Sequence, residues 1–282
     1  MGTTDRQGGS TALWHVECHL ALDVADATTI ALQVSPASGA GTVLTERFEV
    51  AVDGRPVPVR RLDGDHGGVV HVVRCPVGSL TVDVETTVER TPPGEVPADD
   101  LLEIDQLTYL RQSRYCPSDR LSAFAAHELG HLGPGPELLA AVGDWVAGRL
   151  IYEEGSSGPL DSAVDSLFAG RGVCRDFAHL AITLLRALGV PSRLVAVYAP
   201  GLSPMDFHAV VEAHVEGRWW VLDPTRLAPR TSLLRVSTGR DAADTAFLTT
   251  LDGEATLRFA EVVAYTDGDL PWDDHTGLVR LA

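Results

Sequence analysis

From residue 13 to residue 90 the chain alternates between apolar and polar positions. Trp14, Val16, Cys18, Leu20 and Leu22 fall on one side of an extended segment, and His15, Glu17 and His19 on the other. Val82, Val84 and Val88 repeat the pattern over residues 80–89, and residues 48–52 and 69–73 are short segments of the same kind. Such patterning, broken at short intervals by turn residues such as Asp53-Gly54, predicts an antiparallel sandwich or small barrel. Pro56 and Pro58 put the strand after that turn at a sheet edge, because proline has no N–H to give to a ladder.

The period changes beyond a proline-rich, acidic stretch that runs from Thr91-Pro92-Pro93-Gly94 to Asp99-Asp100. Leu139, Val142, Val146 and Leu150 form one stripe at helical spacing, which predicts a helix over residues 136–152. Residues 161–168 read as a shorter helix. A third covers 174–188, with Gly189 just past its end and Pro191 beyond, the usual stop signals. Strands follow over 193–198 and 208–222, and residues 256–265 add another. The predicted fold class is α+β. After a disordered tail (1–10) comes an N-terminal antiparallel β-sandwich domain (11–92), then a linker (93–112) and a core (113–282) of helices packed on an antiparallel sheet.

Composition narrows the function. The 282 residues carry a formal net charge of −17, the wrong sign for a nucleic-acid partner. No apolar run approaches the ~18 residues that a membrane span needs, so no membrane partner is expected. Residues 1–10 are polar and carry no signal-peptide pattern, which leaves the cytoplasm as the expected location. The four cysteines, Cys18, Cys75, Cys116 and Cys174, are scattered, lack paired metal spacing and are expected to be reduced thiols. Nothing in the pattern calls for a cofactor.

Chemistry concentrates in the second half. Gly172-Val173-Cys174-Arg175-Asp176 places a thiol in the first turn of a helix, where free N–H groups and the positive end of the helix dipole stabilise negative charge. A thiol attacks carbonyls as its thiolate, so this is a plausible seat for a nucleophile. Downstream, Glu216-Gly217 forms a two-residue hairpin turn between residues 208–215 and 218–222. That loop length sets Val215 opposite Arg218, Glu212 opposite Val221 and Val210 opposite Asp223. His208 therefore shares a face with Asp223 and lies one diagonal away from it, within reach of a hydrogen bond. One more loop residue would send the two to opposite faces. Cys174, His208 and Asp223 are the candidate catalytic residues: nucleophile, base and the acid that orients the base. Asp176, Val210, Glu212 and Trp220 are candidate substrate-binding residues. His179, one turn along the Cys174 helix, is expected to be a structural hydrogen-bond partner.

These residues carry a resemblance. Gly172-Val173-Cys174-Arg175-Asp176-Phe177-Ala178-His179-Leu180, then Leu188-Gly189-Val190-Pro191-Ser192-Arg193, Phe207-His208-Ala209-Val210-Val211-Glu212 and Trp219-Trp220-Val221-Leu222-Asp223-Pro224-Thr225 are similar to the core motifs of the transglutaminase-like superfamily. Residues 13–90 likewise resemble the N-terminal domain of its bacterial members. The resemblance implies a papain-like core and a thiol-dependent amide hydrolase, a cysteine peptidase or amidase working through a thioester, with transamidation also within its range. Its substrate would be a peptide, a protein or a small amide. One departure is visible: the family usually has tryptophan two residues after the histidine, and Val210 stands there.

Two other readings are open at the level of sequence. A non-catalytic protein- or peptide-binding module could use the same fold. His127-Glu128-Leu129-Gly130-His131 also matches the zinc-peptidase pattern in which two histidines one helical turn apart bind metal. Against zinc, Gly130 lies inside the required turn and Gly133-Pro134-Gly135-Pro136 ends the helix soon after.

Overall fold

The computed structural model describes residues 12–90 and 103–281. The disordered tail expected at residues 1–10 lies outside the described residues, as does much of the expected linker.

Seven strands come first: β1 (Leu13–Asp26), β2 (Thr28–Leu32), β3 (Thr42–Val52), β4 (Arg55–Pro56), β5 (Val59–Asp63), β6 (Val69–Cys75) and β7 (Gly78–Glu89). The core then runs α1 (Glu103–Leu110), α2 (Ser122–Leu129), α3 (Pro136–Arg149), β8 (Ile151–Tyr152), α4 (Ala163–Ala169), β9 (Arg171–Gly172), α5 (Cys174–Ala187), β10 (Ser192–Tyr198), β11 (His208–Val215), β12 (Arg218–Leu222) and β13 (Leu234–Gly239). The chain closes with α6 (Ala242–Thr245), β14 (Leu248–Thr250) and β15 (Glu254–Thr266).

The alternation read from sequence becomes the inward face of a sandwich. Its sheets are ordered β15-β1-β7-β3-β4 and β14-β2-β6-β5. Val16, Cys18, Leu20 and Leu22 are buried between them with Leu80, Val82 and Val84. Asp53 and Gly54 both take positive φ (49° and 72°), the turn whose twist suits a two-residue hairpin. The proline-bearing β4 lies at the outer edge of its sheet.

The sandwich is closed by the far end of the chain. β15 pairs with β1 from Trp14↔Thr266 to Asp26↔Glu254, and β14 pairs with β2. Strand character over 256–265 was legible, but alternation gives the face of a strand and not its neighbour. Residues 103–110, inside the expected linker, are helical, and Tyr109 of that helix is buried.

A third sheet, β12-β11-β10-β13, carries the helices on one face. Leu194, Val211, Ala213 and Leu222 meet Leu180, Leu184 and Leu185 of α5, with Leu139, Val142 and Val146 of α3 behind them. The opposite face buries Val195, Val197, Val210, Val221 and Leu233. The helix predicted over 136–152 stops at Arg149, because Ile151 and Tyr152 pair in parallel with Arg171 and Gly172. Among the described residues, no helix is long and apolar enough to cross a membrane.

Candidate active site

The backbone turn before α5 is shaped by one close approach. Val173 is extended, and its N–H donates to Asp176 Oδ2 at 2.9 Å, which caps the first turn of the helix. A Cβ on Gly172 would lie 2.5 Å from Asp176 Cβ, so a side chain at that position would displace the capping carboxylate. Cys174 is consequently the first residue of α5, partly exposed, with Sγ 3.9 Å from the Phe207 carbonyl oxygen. The other three thiols are buried and unpaired. Burial pushes Cys18 and Cys116 up to about 12, and raises Cys75 as well.

His208 opens β11, and Asp223 follows the last residue of β12. The hairpin register is the one that the Glu216-Gly217 loop predicts, with Val215↔Arg218 and Glu212↔Val221. Positive φ at both turn residues (53° and 73°) fixes it. His208 Nε2 lies 2.9 Å from Asp223 Oδ2, and both side chains are fully buried. A carboxylate only accepts, so Nε2 carries the hydrogen. Asp223 Oδ1 accepts from the Thr225 backbone N–H (3.0 Å) and hydroxyl (2.7 Å). The carboxylate is thus held from both sides. Nδ1 of His208 is buried without a hydrogen-bond partner.

Electrostatics favour a charged ring. Burial opposes the imidazolium, but the charge and hydrogen bond of Asp223, followed by the neighbouring Cys174 thiol, raise His208 to about 10. Burial alone would raise Asp223; its interactions with His208 and Thr225 outweigh that and hold it below the ordinary carboxylate value. Cys174 and His208 both line one cleft of about 560 Å³, which runs between the core and the sandwich. A thiol, a charged imidazole and a buried carboxylate in this order can support attack on a carbonyl and proton delivery to a leaving group.

None of the four candidate substrate-binding residues lines that cleft. Asp176 is fully buried and occupied by Val173, Ser157 and Arg175. Val210 is buried in the apolar layer on the sheet face away from the helices. Glu212 is buried in ion pairs with Arg193 (2.8 Å) and Arg235 (2.6 Å), whose charges overcome the cost of burial and lower it to about 2. Trp220 packs against the helical core and donates Nε1 to the Val215 carbonyl at 3.0 Å. Alternation put Val210 and Glu212 on the face of His208 correctly. Only the end of the strand reaches the cleft, however; farther along, Val210 is buried in a cluster with Leu202, Leu233 and Leu281, and Glu212 is held by its two arginines.

The zinc pattern does not assemble. His127 lies in the last turn of α2, while Gly130 caps the helix and His131 falls beyond it, so the two imidazoles lose their helical spacing. Glu128 accepts from Trp145 Nε1 at 3.0 Å. Among the described residues, no three His, Cys, Asp or Glu side chains are grouped to hold a metal ion. His179 stacks on Tyr115 at 5.1 Å and accepts from the Ala242 N–H at 3.1 Å.

Two contributors were not anticipated from sequence. Thr225 fixes Asp223 through a turn in which an acidic side chain is bonded two residues on, and the Asp-Pro-Thr spelling carried that signal. Tyr152 stands beside Cys174, where burial and then the charge of the thiol push its hydroxyl up to about 12. It arrives through the β8–β9 pairing, which a two-residue strand does not announce.

Comparison with known proteins bears on the family and the fold. A family model of the transglutaminase-like superfamily matches residues 124–224. The crystal structure of a candidate cysteine protease from Cytophaga hutchinsonii superposes with a TM-score of 0.85 at 30% sequence identity, covering 96% of each chain. An uncharacterised protein of Mycobacterium leprae is 34% identical over 149 residues, a stretch that spans 49% of this chain and 52% of that protein.

Proposed function

Because this chain belongs to the transglutaminase-like superfamily, we propose that it is a thiol-dependent amide hydrolase acting through Cys174, His208 and Asp223. The observation that carries this reading is the unpartnered Nδ1 of a buried, Asp223-bound His208 beside a thiol at the mouth of α5.

With His208 protonated, Cys174 serves as the thiolate. Its sulfur attacks the substrate carbonyl carbon, and the C=O π pair moves to oxygen. The developing oxyanion can accept the Cys174 backbone N–H, at the positive end of α5. Collapse restores the C=O bond and breaks the C–N bond, and the departing amine takes the proton from His208 Nδ1. A thioester and a neutral imidazole remain. Nδ1 then removes a proton from water as its oxygen attacks the thioester. Breakdown releases the carboxylic acid and regenerates the thiolate–imidazolium pair. An amine in place of water would give transamidation. Hydrolysis is the outcome we prefer.

Asp223 keeps the ring charged and sets its tautomer, so Nδ1 is the nitrogen available for proton exchange. The test is selective alkylation followed by peptide-library profiling with and without added amines. Iodoacetamide should modify Cys174 ahead of Cys18, Cys75 and Cys116 near neutral pH, and Cys174→Ala should lower amide cleavage by about 10³- to 10⁴-fold. Equal reactivity of all four thiols, with no cleavage of any peptide, would support a non-catalytic binding protein instead.

A further inference from the structure

The cleft beside Cys174 is built by both parts of the molecule, and one of its walls is apolar. Phe207 stacks on Phe247 with ring centroids 4.2 Å apart. Leu194 from the core sheet and Leu248, Leu257 and Ala260 from the closing strands complete the lining. A bulge makes this wall possible. In the β1–β15 pairing Ala21 faces Phe259 and Leu22 faces Leu257, so Arg258 is the extra residue. The shift brings Leu257 opposite Leu22 and leaves Ala260 opposite Leu20, both buried inward-facing residues. Cross-strand partners share a face, so Leu257 and Ala260 both turn toward the interior side of the sandwich. There the sandwich is open to the cleft: Leu257 is 36% exposed although it sits on the apolar face.

Charge is confined to the end near the thiol. The Arg175 guanidinium is engaged by Ser157, Gly158 and Asp176, and Asp206 accepts from the Phe207 N–H. The Gln33 amide is spent on the Asp244 and Ala246 carbonyls. A volume of about 560 Å³ is enough for more than one side chain.

We infer that this cleft is an acyl-side specificity pocket for peptides bearing large apolar side chains, walled by the returning strands β14 and β15. The inference rests on the proposed thiol chemistry for the position of the scissile carbonyl. The apolar wall itself is independent of it.

Dipeptidyl chloromethyl ketones test both at once. The Cys174 thiolate forms an S–C bond to the methylene carbon as chloride departs, so labelling rate reports how well the dipeptide seats. The diphenylalanyl probe should label about ten- to a hundredfold faster than the diglycyl or diglutamyl probe, the difference expected from burying a large apolar side chain. In Ala260→Trp, which fills the wall at an exposed site, the ratio of diphenylalanyl to diglycyl rates should fall at least tenfold. Leu257→Asp should lower the same ratio. Calorimetric binding of acetyl-diphenylalanyl amide to Cys174→Ala reads the pocket without thiol chemistry. Binding there with no labelling of the wild type would keep the pocket and sink the nucleophile. Equal rates for all three probes, or a ratio untouched by both substitutions, would overturn the pocket and leave the nucleophile standing.

Discussion

Two buried acid–base groups stand four residues apart on the same strand, and they differ in how completely they are satisfied. Glu212 is gripped by two guanidinium groups. Arg193 Nε and Arg235 Nη1 both reach Oε2, Arg235 Nη2 reaches Oε1, and Arg193 also stacks over Trp219 at 3.9 Å. His208 spends one nitrogen on Asp223 and keeps the other buried, with only the Cys174 thiol beside it. A closed polar network fixes structure. An open one leaves a group that must find its partner in a reactant or a neighbouring thiol. Burial and charge alone would not separate the two sites; the inventory of hydrogen bonds does.

If the open site is the chemical one, removing Cys174 or His208 should be the most damaging change. Cys174→Ala and His208→Ala are each expected to lower amide turnover by about 10³- to 10⁴-fold while unfolding in urea stays cooperative. Glu212→Ala should do the reverse. It strands two buried guanidinium groups, and the expected loss is ~3–5 kcal/mol in urea-unfolding free energy, with turnover per folded molecule preserved. A fall in turnover at constant fraction folded would break the contrast between the two clusters.

The smaller effects sharpen it. Asp223→Asn should cost about a hundredfold in turnover and change the alkaline limb of the pH–rate profile. In the wild type, activity should persist until His208 deprotonates near pH 10, and the substitution should bring that limb down toward the ordinary imidazole value of 6.5. Stability follows the same sign. On the alkaline side the contribution of the His208–Asp223 pair is fully present at about pH 6.5 and is lost as pH rises through about 10, because the folded state holds the His208 proton more tightly; on the acid side it is lost as Asp223 takes up a proton. A wild-type minus Asp223→Asn stability difference that grows with pH across that window would contradict this. The least consequence is expected at the zinc-like motif. His127→Ala and His131→Ala are at exposed positions and should shift stability by no more than about 0.5 kcal/mol, with turnover unchanged in the presence of a chelator.

The same contrast shows what a sequence can disclose. The His208–Asp223 meeting was legible because a two-residue loop fixes hairpin register, and register fixes faces. The cysteine at a helix mouth was legible from Gly172 before it and the apolar helix after it. Val210 and Glu212 share the face of His208 yet stay clear of the cleft, because a shared face says nothing about what packs over it farther along the strand. Leu202, Leu233 and Leu281, from outside the strands, share the buried cluster of Val210 here. The cleft wall was hidden for a different reason. It depends on β14 and β15 crossing back to β2 and β1, a long-range choice that alternation leaves open.

That crossing has a consequence for how the molecule comes into being. During synthesis β1 is made long before β15, and this neighbour follows only after Cys174, His208 and Asp223 have all been added to the chain. Until then a long ladder of backbone N–H and C=O groups lacks its native partner, an invitation to mispairing that grows with the wait. The core, in turn, gains its outer cleft wall only when that ladder zips shut. Substrate recognition would therefore be the last property the newborn chain acquires.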